Sequence, residues 1–454
     1  MSSTETVADY RHPEKILQKL IRFNTTNPPG NEKGCIDYIA NLLKQNGIES
    51  VLIAKDPGRP NLIARFKGNN TAPPLLMYGH ADVVTTENQI WRHPPFEGKI
   101  TDGFVWGRGA LDMKGMLAMM TAALIRAKAE NLKPAGDIVL AVLSDEESGG
   151  NFGARFLVEN YPEQFSGIHY AIGEFGACAM TVGQQKFYPI QVSEKQICWI
   201  EAKIKGPGGH GSIPLKNSAM AKIGKFINKI SASSLAPHIT PIPRQMIQAI
   251  AAAMPMPAGL ILRQLLNPMM TKNILKLLGP KGDKFKPMLF NTVNPTVIHG
   301  GSKINVIPSE ISLQLDGRLL PGFTPDDLIA EIRQTTGTDI DTDIAIDIIS
   351  YDPCPSKPDM GMFTLLADIL READPKGIPI PMLLPGATDG RFFSRLKIQT
   401  YGFSPMNLSP EFDFFSTIHA ADERVPVDAI HFGANTIFRL MQRYGESTIS
   451  AKND

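Results

Sequence analysis

Leu75-Leu76-Met77-Tyr78-Gly79-His80-Ala81-Asp82 reads as a short buried strand that ends on two side chains able to bind or steady a metal. Its apolar run is too short for a helix, and an extended chain turns alternate residues the same way, so His80 and Asp82 share a side. The pattern recurs twice. Ile138-Val139-Leu140-Ala141-Val142-Leu143 runs into Ser144-Asp145-Glu146-Glu147, and Tyr170-Ala171-Ile172 runs into Gly173-Glu174. Open α/β sheets collect ligands at the carboxyl ends of their strands. Three strands that each end in His, Asp or Glu therefore predict an α/β fold, a mixed sheet flanked by helices. Helical spacing over Pro13–Phe23, Cys35–Gln45 and Met113–Ala129 supplies the covering layers. Asp112 then falls at the start of the last helix, where free N–H groups and the helix dipole favour a carboxylate.

The texture changes near residue 190. Ile190–Lys205 and Glu310–Arg318 alternate as strands do, with a helical pattern over Asn217–Ile230 between them. After the loop Asp352-Pro353-Cys354-Pro355-Ser356 a helix is expected again over Met362–Arg371. The expected organisation is thus a first domain built from 1–189 and 355–454, with an α+β domain, 190–354, inserted into it. Inside the insert, about 235–290 forms an extended segment rich in proline and methionine, including Met246, Met254, Met256, Met269, Met270 and Met288. Such methionine content suits adaptable packing.

Composition narrows the partners. The 454 residues carry 46 basic and 45 acidic side chains, net +1, so no long-range field gathers a polyanion. A small-molecule substrate is expected, and no nucleic acid. Cys35, Cys178, Cys198 and Cys354 lie far apart, which argues against a cysteine zinc site or a disulfide framework. Asp9, Arg11, His12, Glu14 and Lys15 occupy the region where a secretory leader would be apolar, so the cytoplasm is the expected location. The most apolar later stretch, Ile247–Leu266, is broken by Gln248, Pro255, Pro257, Arg263 and Gln264, and no membrane partner is expected.

Taken singly, the polar strand ends are weak signals. His80-Ala81-Asp82 reads equally as a hydrogen-bonded strand end, and Glu146-Glu147 as a solvated turn, although adjacent buried acids repel unless a cation or proton relieves them. Taken together with Asp112, Glu174 and a distant His419, they fall within longer motifs. These run from Met77 to Val84, from Trp91 to Phe96, and over Asp102-Gly103-Phe104-Val105-Trp106-Gly107-Arg108-Gly109-Ala110-Leu111-Asp112-Met113-Lys114-Gly115. Others are Ser144–Gly150, Gly206-Pro207-Gly208-Gly209-His210-Gly211-Ser212-Ile213-Pro214, Gly300–Pro308, Gly386-Ala387-Thr388-Asp389-Gly390-Arg391-Phe392-Phe393 and Ser416–Glu423. In these motifs the chain resembles the dizinc metallopeptidase family of aminoacylase, glutamate carboxypeptidase, acetylornithine deacetylase and succinyl-diaminopimelate desuccinylase.

The resemblance implies a zinc-exopeptidase-like catalytic domain with an inserted lid or dimerisation domain, and a homodimer formed through that insert. It implies two Zn2+ ions, with cobalt or manganese as alternatives. His80 and Glu174 would hold one ion, Glu147 and His419 the other, and Asp112 would bridge them. Glu146 would be the catalytic acid and base, Asp82 would orient His80, and His210 would serve the developing oxyanion from the inserted domain. Asn305, Arg318, Thr388 and Arg391 match regions that contact substrate, with Arg391 readable equally as a structural partner of Asp389. The implied reaction is hydrolysis of an amide or peptide bond in a small N-acyl amino acid or short peptide with a free carboxylate. The alternatives are a non-catalytic metal-binding module of the same fold, or a related zinc aminopeptidase, which would lack the motif around His210. Glu174, where several dipeptidases use aspartate, slightly favours an N-acyl substrate.

Overall fold

The computed structural model describes residues 10–232, 234–337 and 344–446. Among these, two compact units are separable. One takes in the residues up to Val192, Asp359–Met382 and those from Thr388 onward; the other is Ser193–Pro358 with the short piece Leu383–Ala387.

The first unit is built on a mixed sheet. Its order is Ser50–Ala54, Pro60–Phe66, Ile138–Leu143, Leu75–His80, Tyr170–Gly173, Gln399–Gly402, then Gln185–Glu194 and Gly377–Leu384. The three strands singled out above are adjacent and parallel, with His80 opposite Leu143 and Met77 opposite Ile172. Their carboxyl ends therefore open on one edge. Every residue of Leu75–His80 and Ile138–Leu143 is buried, as expected of parallel strands covered on both faces.

One cover is the helix Lys114–Ala129, apolar almost all round and buried on nearly every side by Val427–Arg443 and Pro13–Ile21. A Cβ at Gly433 would lie 2.0 Å from Met119 Sδ, so glycine is what lets the C-terminal helix approach this closely. The opposite face is sealed by aromatic packing, with Phe393 4.8 Å from Tyr78 and 5.2 Å from Phe165, centroid to centroid. A small three-stranded sheet pairs Phe104–Trp106 with Lys99–Thr101 and with Arg424–Pro426, which ties the segment before Asp112 to the one after His419.

The second unit has an antiparallel sheet in the order Thr292–His299, Glu310–Leu319, Gln196–Lys205, Ile344–Asp352. Burial alternates strictly along Glu310–Leu319, and the inward residues Ile311, Leu313 and Leu315 share a core with Ile223 and Phe226 of Ala219–Ala232 and Leu328 and Ile332 of Pro325–Thr336. Thr324 and Asp327 close the latter helix with a reciprocal capping box.

The pattern read as one strand over Ile190–Lys205 is in fact two strands, interrupted at Lys195. That lysine is 1% exposed, and its ammonium donates to the Phe290 carbonyl and to Thr292 Oγ1, both at 2.9 Å. Burial and the neighbouring Arg318 push its pKa down to about 7. The expectation that the methionines of 235–290 serve packing holds for two of the six named, with Met254 half-buried. Met246 and Met288 are buried, whereas Met256, Met269 and Met270 face solvent. No helix of the described residues is long and apolar enough to cross a membrane.

Candidate metal centre

The sheet edge gathers the expected side chains. His80 Nε2 lies 3.1 Å from Asp112 Oδ1 and 3.5 Å from Glu174 Oε2. His419 Nε2 lies 3.2 Å from Asp112 Oδ2 and 3.3 Å from Glu147 Oε1. The Asp112 carboxylate thus stands between two imidazoles, one oxygen toward each. Glu146 belongs to the His80 side, its carboxylate within 4.8 Å of the ligand atoms of His80 and Glu174.

These spacings suit divalent cations. Ligands at about 2.0–2.2 Å around a tetrahedral zinc stand about 3.3–3.6 Å from one another, close to the four distances above. Glu147 Oε1 is buried and takes no hydrogen bond, although the His419 ring is 3.3 Å away. The donor set is also over-supplied with negative charge. Burial and mutual repulsion push the carboxyls of Glu146, Glu147 and Glu174 upward, Glu146 farthest. Burial favours a neutral Asp112, yet the two imidazoles hold it well below the usual range. His419 is pushed up to about 10 by the carboxylates of Asp112 and Glu147 that face its ring. Acids forced together with soft nitrogen donors are relieved by cations, so the residues present fit a two-metal group.

Asp82 carries a wider structural load than steadying one ring. His80 Nδ1 meets the Asp82 main-chain carbonyl at 3.0 Å and its carboxylate at 3.4 Å. That carboxylate accepts the N–H groups of Glu146 and Glu147, both at 3.1 Å, and Asn27 Nδ2 at 2.8 Å. One buried acid thereby sets the turn that presents both glutamates. Burial would raise its pKa, but His80 and these donors hold it down.

Asp112 departs from the helix-capping role expected of it. The helix begins at Lys114 and no side chain caps it. The Asp112 and Leu111 N–H groups instead go to Glu423 Oε1, at 3.2 and 2.8 Å, which leaves the Asp112 carboxylate for the imidazoles. Glu423 also takes Arg108 at 2.6 Å, and the Arg108 guanidinium donates to the carbonyls of His419 and Ala420. The pair is 1% and 0% exposed, so a buried ion pair ties the main chain of Asp112 to that of His419.

Sequence reasoning did not single out Asn27, Asp145, Arg59, Glu32, Arg108 or Glu423 for a role. Asp145 sits in a left-handed conformation and is held by Asn27 at 3.0 Å and Arg59 at 3.1 Å, with Glu32 2.6 Å from the same guanidinium. The available signal was a charged residue inside a glycine-rich, otherwise apolar motif, as at Gly107-Arg108-Gly109.

The residues expected to meet substrate divide between the units. In the first, Thr388 Oγ1 accepts the Gly390 N–H at 3.0 Å, while Arg391 donates to the Thr388 carbonyl at 2.9 Å and lies 3.9 Å from Glu146 Oε1. Both Asp389 oxygens are buried without a hydrogen bond, and burial pushes that carboxyl up to about 8. In the second, His210 is exposed, its Nδ1 2.8 Å from Ser212 Oγ, and its strand Gly209–His210 pairs with Val306–Ile307. The Asn305 carbonyl accepts the Gly211 N–H, and Arg318 is engaged by Asp316 at 2.8 Å.

Three adjacent parallel strands thus bring two facing histidine–carboxylate sets to one edge, a donor set that suits a dinuclear metal centre. The model of peptidase family M20/M25/M40 matches residues 76–443, and the chain belongs to that family, which makes it a metallohydrolase of peptide or amide bonds. Aminoacylase-1 of Sus scrofa is 24% identical over 420 residues, 91% of each chain. The M20 family metallo-carboxypeptidase Sso-CP2 of Sulfolobus solfataricus shares the fold with a TM-score of 0.66 at 16% identity, covering 95% of this chain and 98% of that one. So does the YXEP protein of Bacillus subtilis, described as a dinuclear metal-binding peptidase, with a TM-score of 0.61 at 13% identity over 96% and 99%.

Proposed function

We propose that this protein is a two-zinc hydrolase that removes a small amino acid from an N-acyl or short-peptide substrate through recognition of its free carboxylate. The observation that carries the reading is the Asp112 carboxylate held between His80 and His419, with Glu146 half-buried on the His80 side. His80 and Glu174 would hold one ion and Glu147 and His419 the other. Zinc bound there supplies Lewis acidity toward a carbonyl oxygen and toward water.

Glu146 accepts the proton of the attacking water on a carboxylate oxygen and returns it to the leaving nitrogen. Its upward-shifted pKa, caused by burial and by Glu174, suits a group that must both take and give a proton. Arg391 is the substrate-carboxylate partner in this reading, its guanidinium lying 3.9 Å from Glu146 Oε1. Asn305, Arg318 and Thr388 are carried as further contacts, and His210 as the oxyanion donor, on the resemblance of their motifs. The inserted domain 190–354 is read as lid and dimerisation module, and a monomeric mass with full activity would overturn the homodimer. All four cysteines are free, which supports a reducing, cytoplasmic setting.

The test is hydrolysis of a panel of N-acyl amino acids and dipeptides by chelator-stripped protein reloaded with zinc. Metal-dependent release of an amino acid, abolished in Glu146→Gln, is the expected result. Two bound metals with no turnover on any member would overturn it in favour of a binding module.

A further inference from the structure

Residues 235–290 of the second unit concentrate charge of one sign. Seven are basic and one, Asp283, is acidic, net +6, while the rest of the chain stands at −5 against the overall +1. All seven basic side chains are exposed. The same segment leaves large apolar groups in water, with Met256 72%, Met269 85% and Leu277 69% exposed. Cation and apolar group share helix faces. On Pro268–Leu278, Met269, Lys272 and Lys276 form one solvent-facing row and Met270, Asn273 and Leu277 the next, while Thr271 and Ile274 turn inward. Leu260 and Arg263 stand three apart on Ala258–Arg263.

We propose that this face docks on an anionic lipid surface. Apolar side chains that stay exposed among lysines and arginines match a headgroup boundary, where methionine and leucine enter the acyl region and the cations meet phosphate. Flexible methionines adapt to such a surface without a fixed pocket. A two-fold contact with a second copy is disfavoured, because it would set +6 against +6. Nucleic acid is disfavoured because neither Phe285 nor Phe290, the aromatic residues of the segment, is exposed for base stacking. The contact is peripheral. The longest helix of the segment, Pro241–Ala253, has 13 residues, short of a span. This departs from the expectation of no membrane partner, which rested on the broken apolar stretch. Net charge hides the asymmetry between the segment and the remainder.

Flotation of the whole protein with vesicles tests it. The protein should float with phosphatidylcholine vesicles containing about one third phosphatidylglycerol and not with phosphatidylcholine alone, and high salt should weaken the binding. Met269→Ser with Leu277→Ser, and separately Lys272→Glu with Lys276→Glu, should each lower the bound fraction about tenfold while hydrolase activity in free solution and the thermal midpoint stay unchanged. No flotation with anionic vesicles at low salt would overturn the proposal. So would flotation of both variants equal to that of the wild type, or a wild-type dimer that either variant converts to monomer without any vesicle binding, which would assign the face to a second copy.

Discussion

The metal centre and the segment around His210 are built on opposite principles. At the metal centre each functional side chain is held by buried partners: His80 by Asp82, Asp112 by Glu423 through its main chain, and the His419 loop by Arg108. His210, by contrast, lies on a two-residue strand, exposed, bonded to Ser212 in its own turn, with Ile213 and Ile304 beside it in solvent. A cluster of like charges demands rigid placement, because loosening any member leaves a buried charge without compensation. A lone exposed side chain makes no such demand, and its segment leaves apolar groups exposed in the manner of a surface that completes itself on binding.

Breaking the first region at its chemistry should have the largest effect. Glu146→Gln is expected to lower kcat by about 10²–10⁴-fold while two metals per chain are retained by elemental analysis. Loss of metal in that variant would instead make Glu146 a ligand. Next in size is the buried pair. Arg108→Met should cost about 3–5 kcal/mol by urea denaturation, because the buried Glu423 loses its counter-ion, and should reduce metal content. Simultaneous replacement of both partners by apolar residues should be milder, a double-mutant cycle that isolates the cost of the orphaned charge.

His210→Ala sharpens the contrast: if the exposed histidine serves the transition state, kcat falls about 10²–10³-fold with stability and metal content unaltered. Asp82→Asn should lower metal affinity about 10–100-fold by releasing the turn that carries Glu146 and Glu147, read by competitive chelation. The smallest effect concerns the second unit alone. Lys195 has a folded pKa of about 7 against an unfolded value near 10.4, so the unfolded chain binds more protons between these limits. Stability should therefore rise with pH across that window and fall back as pH drops through 7. Lys195→Met should flatten the rise in thermal or urea midpoints.

The correspondence between expectation and structure differs by element. Leu75–His80 and Ile138–Leu143 were legible because a fully buried parallel strand is a continuous apolar run, and the polar groups after it have one edge to go to. Lys195 was not legible as a break, since a single lysine in an alternating stretch looks like an outward residue. The methionines of 235–290 divided between core and surface for a related reason. Their flexibility removes the residue-level preference that periodicity relies on.

Read by itself, the sequence determined where the strands end, which residues at those ends could bind metal, and the family those motifs belong to. Only the tertiary structure decided that Asp112 faces two histidines while Glu423, 311 positions away, takes its main chain, and that Asp82 anchors both glutamates. Local periodicity reports which face of an element is buried, because that depends on neighbours three or four residues away. Pairing between distant buried charges leaves no periodic trace, since it is settled by where the packed layers bring those charges together.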